Sequence, residues 1–172
     1  MDLEERLDLI KKSPTEEILT EIELKNLLET NEKIEHYIGF EISGFLHLGT
    51  LFICGIKIND LAKAKIKTKV FLADWHSYIN KKLGGDWKKI KRVSKYYEKA
   101  FEFFCPQTKI IKGSELYENN NEYWQDLIKL SSKITLKRNI RCLTIMGRSM
   151  KDELSFAQFI YPPMQAVDVK YL

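Results

Sequence analysis

Tyr37-Ile-Gly-Phe-Glu-Ile-Ser-Gly-Phe-Leu-His-Leu-Gly-Thr50 holds the change of period that decides the fold. His36 to Glu41 is a short apolar run suited to a buried strand. Ser43-Gly44 breaks it, and from Leu46 to Lys65 the apolar residues recur at helical spacing. Lys69 to Ala73 reads as a second strand, followed at once by Asp74, placed to cap a helix running to about Leu83. Gly84-Gly85-Asp86 restarts a helix that continues to about Phe104, and Lys109 to Lys112 reads as a third strand. Before this block, Leu3 to Lys12 is an amphipathic helix ended by Ser13-Pro14. Thr20 is a fit N-cap for Glu21 to Glu29, with Glu23 at the capping-box position. After it come two long helices, Glu122 to Arg141 and one from about Pro163. Strands alternating with helices predict parallel βαβ units, hence an α/β fold able to bind a nucleotide.

Composition narrows the class. The 172 residues are 44% hydrophobic, 12% aromatic and 30% charged, which excludes wholesale disorder and a disulfide scaffold. No apolar run reaches the ~18–20 residues of a membrane span, and Met1-Asp-Leu-Glu-Glu is too acidic for a signal peptide. Cys54, Cys105 and Cys142 are widely spaced, with no pair at metal-ligand spacing, as expected of reduced thiols in a cytoplasmic protein without membrane or metal. Net charge is only +4, but it is unevenly spread: the segment to Glu35 is acidic, and Lys63 to Lys99 holds twelve Lys/Arg against three acids. Lys133 to Lys151 holds six Lys/Arg and no acid. Such stretches suggest a phosphate-bearing partner on one face. Three strands are few for an open sheet, and apolar residues run to Leu172, so the expectation is a fragment or an end covered by something else.

Three segments could carry chemistry. In the first, His47 and Gly49 fall in the first turn of the helix after the first strand, where free N–H groups meet anions and a glycine admits a flat base. It is neither a Walker loop nor a GxGxxG fingerprint. The second, Phe71 to Asn80, follows another strand and sets Trp75, His76 and Tyr78 together; Trp75 and Ile79, four apart, should pack inward. In the third, Ile160 to Asp168, Gln165 and Asp168 share one helix face, with Tyr161 just before the helix and Pro163 near its start.

Together these segments resemble the catalytic domain of tyrosyl-tRNA synthetases of the archaeal and eukaryotic type, which are class I aminoacyl-tRNA synthetases. The opening from Tyr37 to Gly44, the "HIGH"-like His47-Leu-Gly-Thr50 and the run from Tyr161 to Asp168 carry the resemblance, in the family's order and over nearly the whole chain. It implies a Rossmann-type parallel sheet with flanking helices and a helical connective insertion. The division expected is 1–35 for N-terminal helices, 36–117 for the first half of the catalytic domain, 118–159 for the insertion and 160–172 for the start of the second half. The implied activity is activation of L-tyrosine with ATP, Mg²⁺ entering on the phosphates, then transfer to tRNA(Tyr).

By the same resemblance, Tyr37 and Asp168 hold the substrate phenol, Gly39, Phe71 and His76 surround its ring, and Tyr161 and Gln165 orient its ammonium group. His47, Gly49 and Thr50 form the catalytic signature, and Ser43, Gly44, His47 and Gly49 the ATP side. The insertion implies a homodimer interface and an acceptor-stem contact, with Lys137, Arg138 and Arg141 as tRNA candidates. Ile42 stands where the family has proline, which should loosen the loop, and Thr50 where it has a second histidine. The segment for a "KMSKS" loop is not in this sequence, so a separate C-terminal half is a possible partner and the chain alone should bind tyrosine without aminoacylating. Two other readings compete: a tryptophanyl-tRNA synthetase-like fragment and a non-catalytic binding or regulatory module with the same fold.

Overall fold

The computed structural model describes residues 1–30, 33–145 and 153–172. Strands β1 (Glu35–Phe40), β2 (Lys67–Leu72) and β3 (Lys109–Lys112) form one parallel sheet in the order β1-β2-β3, with Gly39 opposite Phe71 and Phe71 opposite Ile111. Helices α3 (Leu48–Lys63) and α5 (Trp87–Phe104) connect the strands, and α4 (Asp74–Ile79) lies between β2 and α5.

Alternation along the strands divides the interior in two. Ile38, Phe40, Val70, Leu72 and Ile110 join Ile58, Tyr97 and Phe101 in a core with α3 and α5. Tyr37, Phe71, Ala73 and Ile111 face the other way, toward Tyr123, Met164 and Val167 of α7 (Asn121–Ser131) and α9 (Phe156–Tyr171). A third cluster ties α1 (Leu3–Lys11) and α2 (Glu21–Thr30) to the end of α3 through Leu7, Leu28 and Leu61. The Thr20–Glu23 capping box forms in both directions, each bond 3.2 Å. At Gly55, α3 approaches α5 so closely that a Cβ would sit 2.3 Å from Phe104.

Four local expectations are corrected. The stretch from Glu122 to Arg141 is two helices, α7 and α8 (Leu136–Ile145). Side chains compete with the ladder at the break: Ser132 Oγ donates to the Lys129 carbonyl at 2.8 Å, and Thr135 Oγ1 accepts from the Arg138 N–H at 3.3 Å. The last helix begins at Phe156, not near Pro163, because Ser155 and Gln158 form a capping box upstream and Pro162 and Pro163 lie inside it. Pro163 deprives the Phe159 carbonyl of its helical donor, and Asn139 Nδ2 of α8 supplies a substitute at 2.7 Å.

The helix from Asp74 stops at Ile79; a 3₁₀ turn (Lys82–Gly85) follows, and Asp86 caps α5. Ile79 packs against the core as expected, but Trp75 faces solvent and stacks on Trp87 with centroids 4.3 Å apart, and the buried residues of α4 are Asp74, His76 and Ser77. The reason is α4's shortness, which leaves its neighbours, not an apolar period, to choose its buried side. Arg148 and Lys151 of the basic run lie outside the described residues. Among the described residues no helix is long and apolar enough to cross a membrane.

Candidate active site at the carboxyl ends of the strands

Tyr37 and Gly39 lie on one face of β1 and Glu41 just beyond it, Phe71 and Ala73 follow suit on β2, and His76 projects from α4. Above them one side of α9 presents Tyr161, Gln165 and Asp168, and the nine residues line a cavity of about 180 Å³. All seven residues assigned to the amino-acid pocket from sequence are among them. A chamber of this size is below the ~300–1,000 Å³ typical of drug-sized ligands and suits a small one.

Asp168 is the electrostatic centre, with 3% of its surface exposed. Its Oδ1 accepts hydroxyls from Tyr117 and Tyr123, each at 2.9 Å. Its Oδ2 stands 3.3 Å from His76 Nε2, and among the described residues that nitrogen has no hydrogen-bond partner. Burial pushes the Asp168 carboxyl up to about 6, against the pull of the two hydroxyls. Burial draws His76 down to about 4, so the imidazole is neutral at neutral pH and the contact is no ion pair. Burial and then the Asp168 charge hold the phenols of Tyr37, Tyr117 and Tyr123 above the usual tyrosine range.

A second carboxylate stands at the other end of the cavity. Glu41 Oε1 accepts from Tyr161 at 3.2 Å and from Asn80 Nδ2, while Oε2 lies 3.3 Å from Lys82 Nζ. Tyr161 is therefore inside α9 and buried, not ahead of the helix. Sequence reading missed Glu41, Ala73, Tyr117 and Tyr123. The side alternation of Tyr37 and Gly39 already pointed to Glu41, whereas no local pattern marked the two tyrosines.

The nucleotide-side candidates lie apart from this cavity. His47 is the N-cap of α3 and not in its first turn: its extended backbone lets Nδ1 accept from the Gly49 N–H at 3.1 Å. The ring is exposed, and with Nδ1 an acceptor its proton sits on Nε2, free to donate. Ser43 is exposed, and Gly44, Gly49 and Thr50 are half-buried. Ile42 does not loosen the loop: it is fully buried and its N–H donates to Ser77 Oγ at 2.6 Å, a bond that proline could not make. Lys137, Arg138 and Arg141 are exposed on α8, remote in sequence from both groups. Among the described residues no three His, Cys, Asp or Glu side chains are grouped to hold a metal ion.

The model of the tRNA synthetases class I (W and Y) matches residues 29–172. The chain belongs to this family. It is 49% identical over 179 residues to the tyrosine–tRNA ligase of Pyrococcus abyssi and 48% identical over 181 residues to that of Thermococcus kodakarensis. In both cases the match takes in 99% of this chain and 48% of the relative, so the chain spans about half the length of these curated proteins. The crystal structure of tyrosyl-tRNA synthetase complexed with L-tyrosine from Pyrococcus horikoshii superposes with a TM-score of 0.86 at 47% identity, over 99% of this chain and 48% of that one. The tryptophanyl-tRNA synthetase of Plasmodium falciparum, at 17% identity, TM-score 0.69 and coverage of 95% and 45%, shares the fold.

Proposed function

We propose that this chain holds L-tyrosine as the amino-acid half of a tyrosine–tRNA ligase, an enzyme that activates tyrosine with ATP and passes it to tRNA(Tyr). The observation that carries the reading is Asp168 Oδ2, an acceptor without a hydrogen bond among the described residues, in a cavity that Tyr37 also lines. A phenol hydroxyl can donate to the carboxylate and accept from Tyr37. A phenylalanine would leave both groups unpaired, worth ~10⁴–10⁵ in discrimination at a site built for a hydroxyl. Gly39, Phe71 and His76 surround the ring. At the far end Glu41, held by Tyr161, supplies the negative charge that an ammonium group needs, with Gln165 beside it.

The reaction requires no protein nucleophile. The tyrosine carboxylate attacks the α-phosphorus of ATP and pyrophosphate leaves; a terminal ribose hydroxyl of tRNA then attacks the tyrosyl carbonyl of the adenylate, and AMP leaves. The protein contributes position and charge. Ser43, Gly44 and Gly49 would border the nucleotide, with Thr50 replacing one imidazole contact by a hydroxyl. His47 Nε2–H would donate to a phosphate oxygen as charge builds there, and Mg²⁺ would arrive on the phosphates. In this reading 1–35 are the N-terminal helices, with α1 and α2 packed on the end of α3, 36–117 and 160–172 supply the cavity, and 118–159 serve as the connective insertion. That insertion would form a homodimer interface and meet the acceptor stem through Lys137, Arg138 and Arg141 in the cytoplasm. Neither a tryptophan enzyme nor a non-catalytic module is favoured, given relatives near 49% identity that are tyrosine–tRNA ligases.

Calorimetric titration of the folded chain with L-tyrosine, L-phenylalanine and L-tryptophan tests the reading, with Asp168→Asn alongside. Tyrosine-selective binding, reduced at least ~10³-fold in the variant, is the expected result. Tryptophan preference, or no binding to folded protein, would sink it.

A further inference from the structure

Tyr117 comes from α6 (Gly113–Tyr117) and Tyr123 from α7, their rings 4.6 Å apart, and both donate to the same oxygen of Asp168. Two donors satisfy the two lone pairs of Oδ1. Oδ2 is left, and beside it His76 Nε2 is, among the described residues, a second polar atom without a hydrogen bond, on a side chain only 2% exposed. The placement of Tyr117 is itself enforced. Asp74, buried beneath α6, accepts from the Ser114 N–H at 2.9 Å and from Ser114 Oγ at 2.6 Å. A Cβ at Gly113 would come within 2.9 Å of Asp74 Oδ1, so the lock needs a glycine there.

We propose that Tyr117 and Tyr123 are positioning residues that create the phenol selectivity, by saturating Asp168 Oδ1 so that Oδ2 is a fixed acceptor only a hydroxyl-bearing ligand can satisfy. The proposal rests on the tyrosine reading above. With both hydroxyls in place, an unsubstituted phenyl ring strands a desolvated acceptor. Without them the carboxyl can turn or take up a proton, which lowers the penalty against phenyl and the gain for phenol together.

The test uses Tyr117→Phe, Tyr123→Phe and their combination, each shown folded by thermal unfolding. The affinities of L-tyrosine and L-phenylalanine are read by calorimetry. Each single variant should weaken tyrosine binding about tenfold and leave phenylalanine within about twofold, the double variant losing more selectivity than either. In an Asp168→Asn background, Tyr117→Phe should change the selectivity ratio by less than about twofold, because the acceptor it serves is gone. Selectivity retained in both single variants, or parallel losses for the two ligands, would overturn the proposal while leaving the tyrosine reading intact. A wild-type chain that does not distinguish the two amino acids would overturn both.

Discussion

The cavity under α9 and the connection from β1 to α3 share the carboxyl end of the sheet but are built to opposite rules. In the cavity, Asp168 and His76 are nearly inaccessible and the groups around them come from the strands, α4, α6, α7 and α9. In the connection, Ile42 and Leu46 anchor a loop whose polar residues, Ser43 and His47, face outward, with His47 bonded to the Gly49 N–H of its own turn. A small amino acid told from another by one oxygen needs a site whose dipoles are already set. A polyphosphate is attracted by charge and free N–H groups and can be received on an open helix terminus.

Acid sets the two regions apart most strongly. The ordinary carboxylate value is 3.8, and burial raises Asp168 to about 6. If the ionised form receives the phenol, affinity for L-tyrosine falls about tenfold between pH 7 and pH 5, as calorimetry at each pH would show. Stability moves differently. A raised carboxyl pKa gives stability that is full below about 4 and lost as pH rises through about 6. His76, lowered from 6.5 to about 4, opposes this: its contribution is lost as pH falls through the same range. Asp168 and His76 together should therefore leave the melting temperature nearly level while affinity drops. Affinity that does not change with pH would mean that the neutral acid binds as well.

Next in size is the support of α9. Asn139→Ala leaves the Phe159 carbonyl without its donor and should cost about 1–3 kcal/mol in denaturant unfolding, with tyrosine binding weakened because α9 carries three of the cavity's polar residues. His47→Ala removes an exposed helix cap, costs about 1 kcal/mol, and should leave tyrosine affinity within about twofold. A larger effect on affinity would join the two regions energetically. The smallest effect belongs to α8: replacing Lys137, Arg138 and Arg141 by Ala should shift stability by less than about 0.5 kcal/mol. The same triple variant should weaken RNA binding and flatten its dependence on salt, measured by filter binding at two ionic strengths.

Legibility followed the range of the forces. β2 could be read because a strand buried on both faces leaves an apolar run, β1 because its apolar residues alternate toward the two cores although none of them is fully buried, and the Thr20–Glu23 capping box because its partners are three residues apart. The break after Ser131 and the start of α9 were misplaced, since the Ser132 hydroxyl and the Ser155–Gln158 capping box there overrode a weak apolar period. Asp74 was read as a local cap, but besides the neighbouring Trp75 N–H it binds Ser114, forty residues away.

By itself the sequence determined the alternation of strands and helices, the side on which Tyr37, Gly39, Phe71 and Ala73 lie, and the spacing that puts Gln165 and Asp168 on one helix face. These follow from periods of 2 and 3.6 residues. Only the tertiary structure decided that Tyr117 and Tyr123 would meet on one oxygen of Asp168, that Ile42 would need its N–H for Ser77, and that Asn139 would repair a proline-broken helix. A buried polar atom must find a partner wherever the packed chain brings one, and that obligation leaves no periodic trace along the sequence.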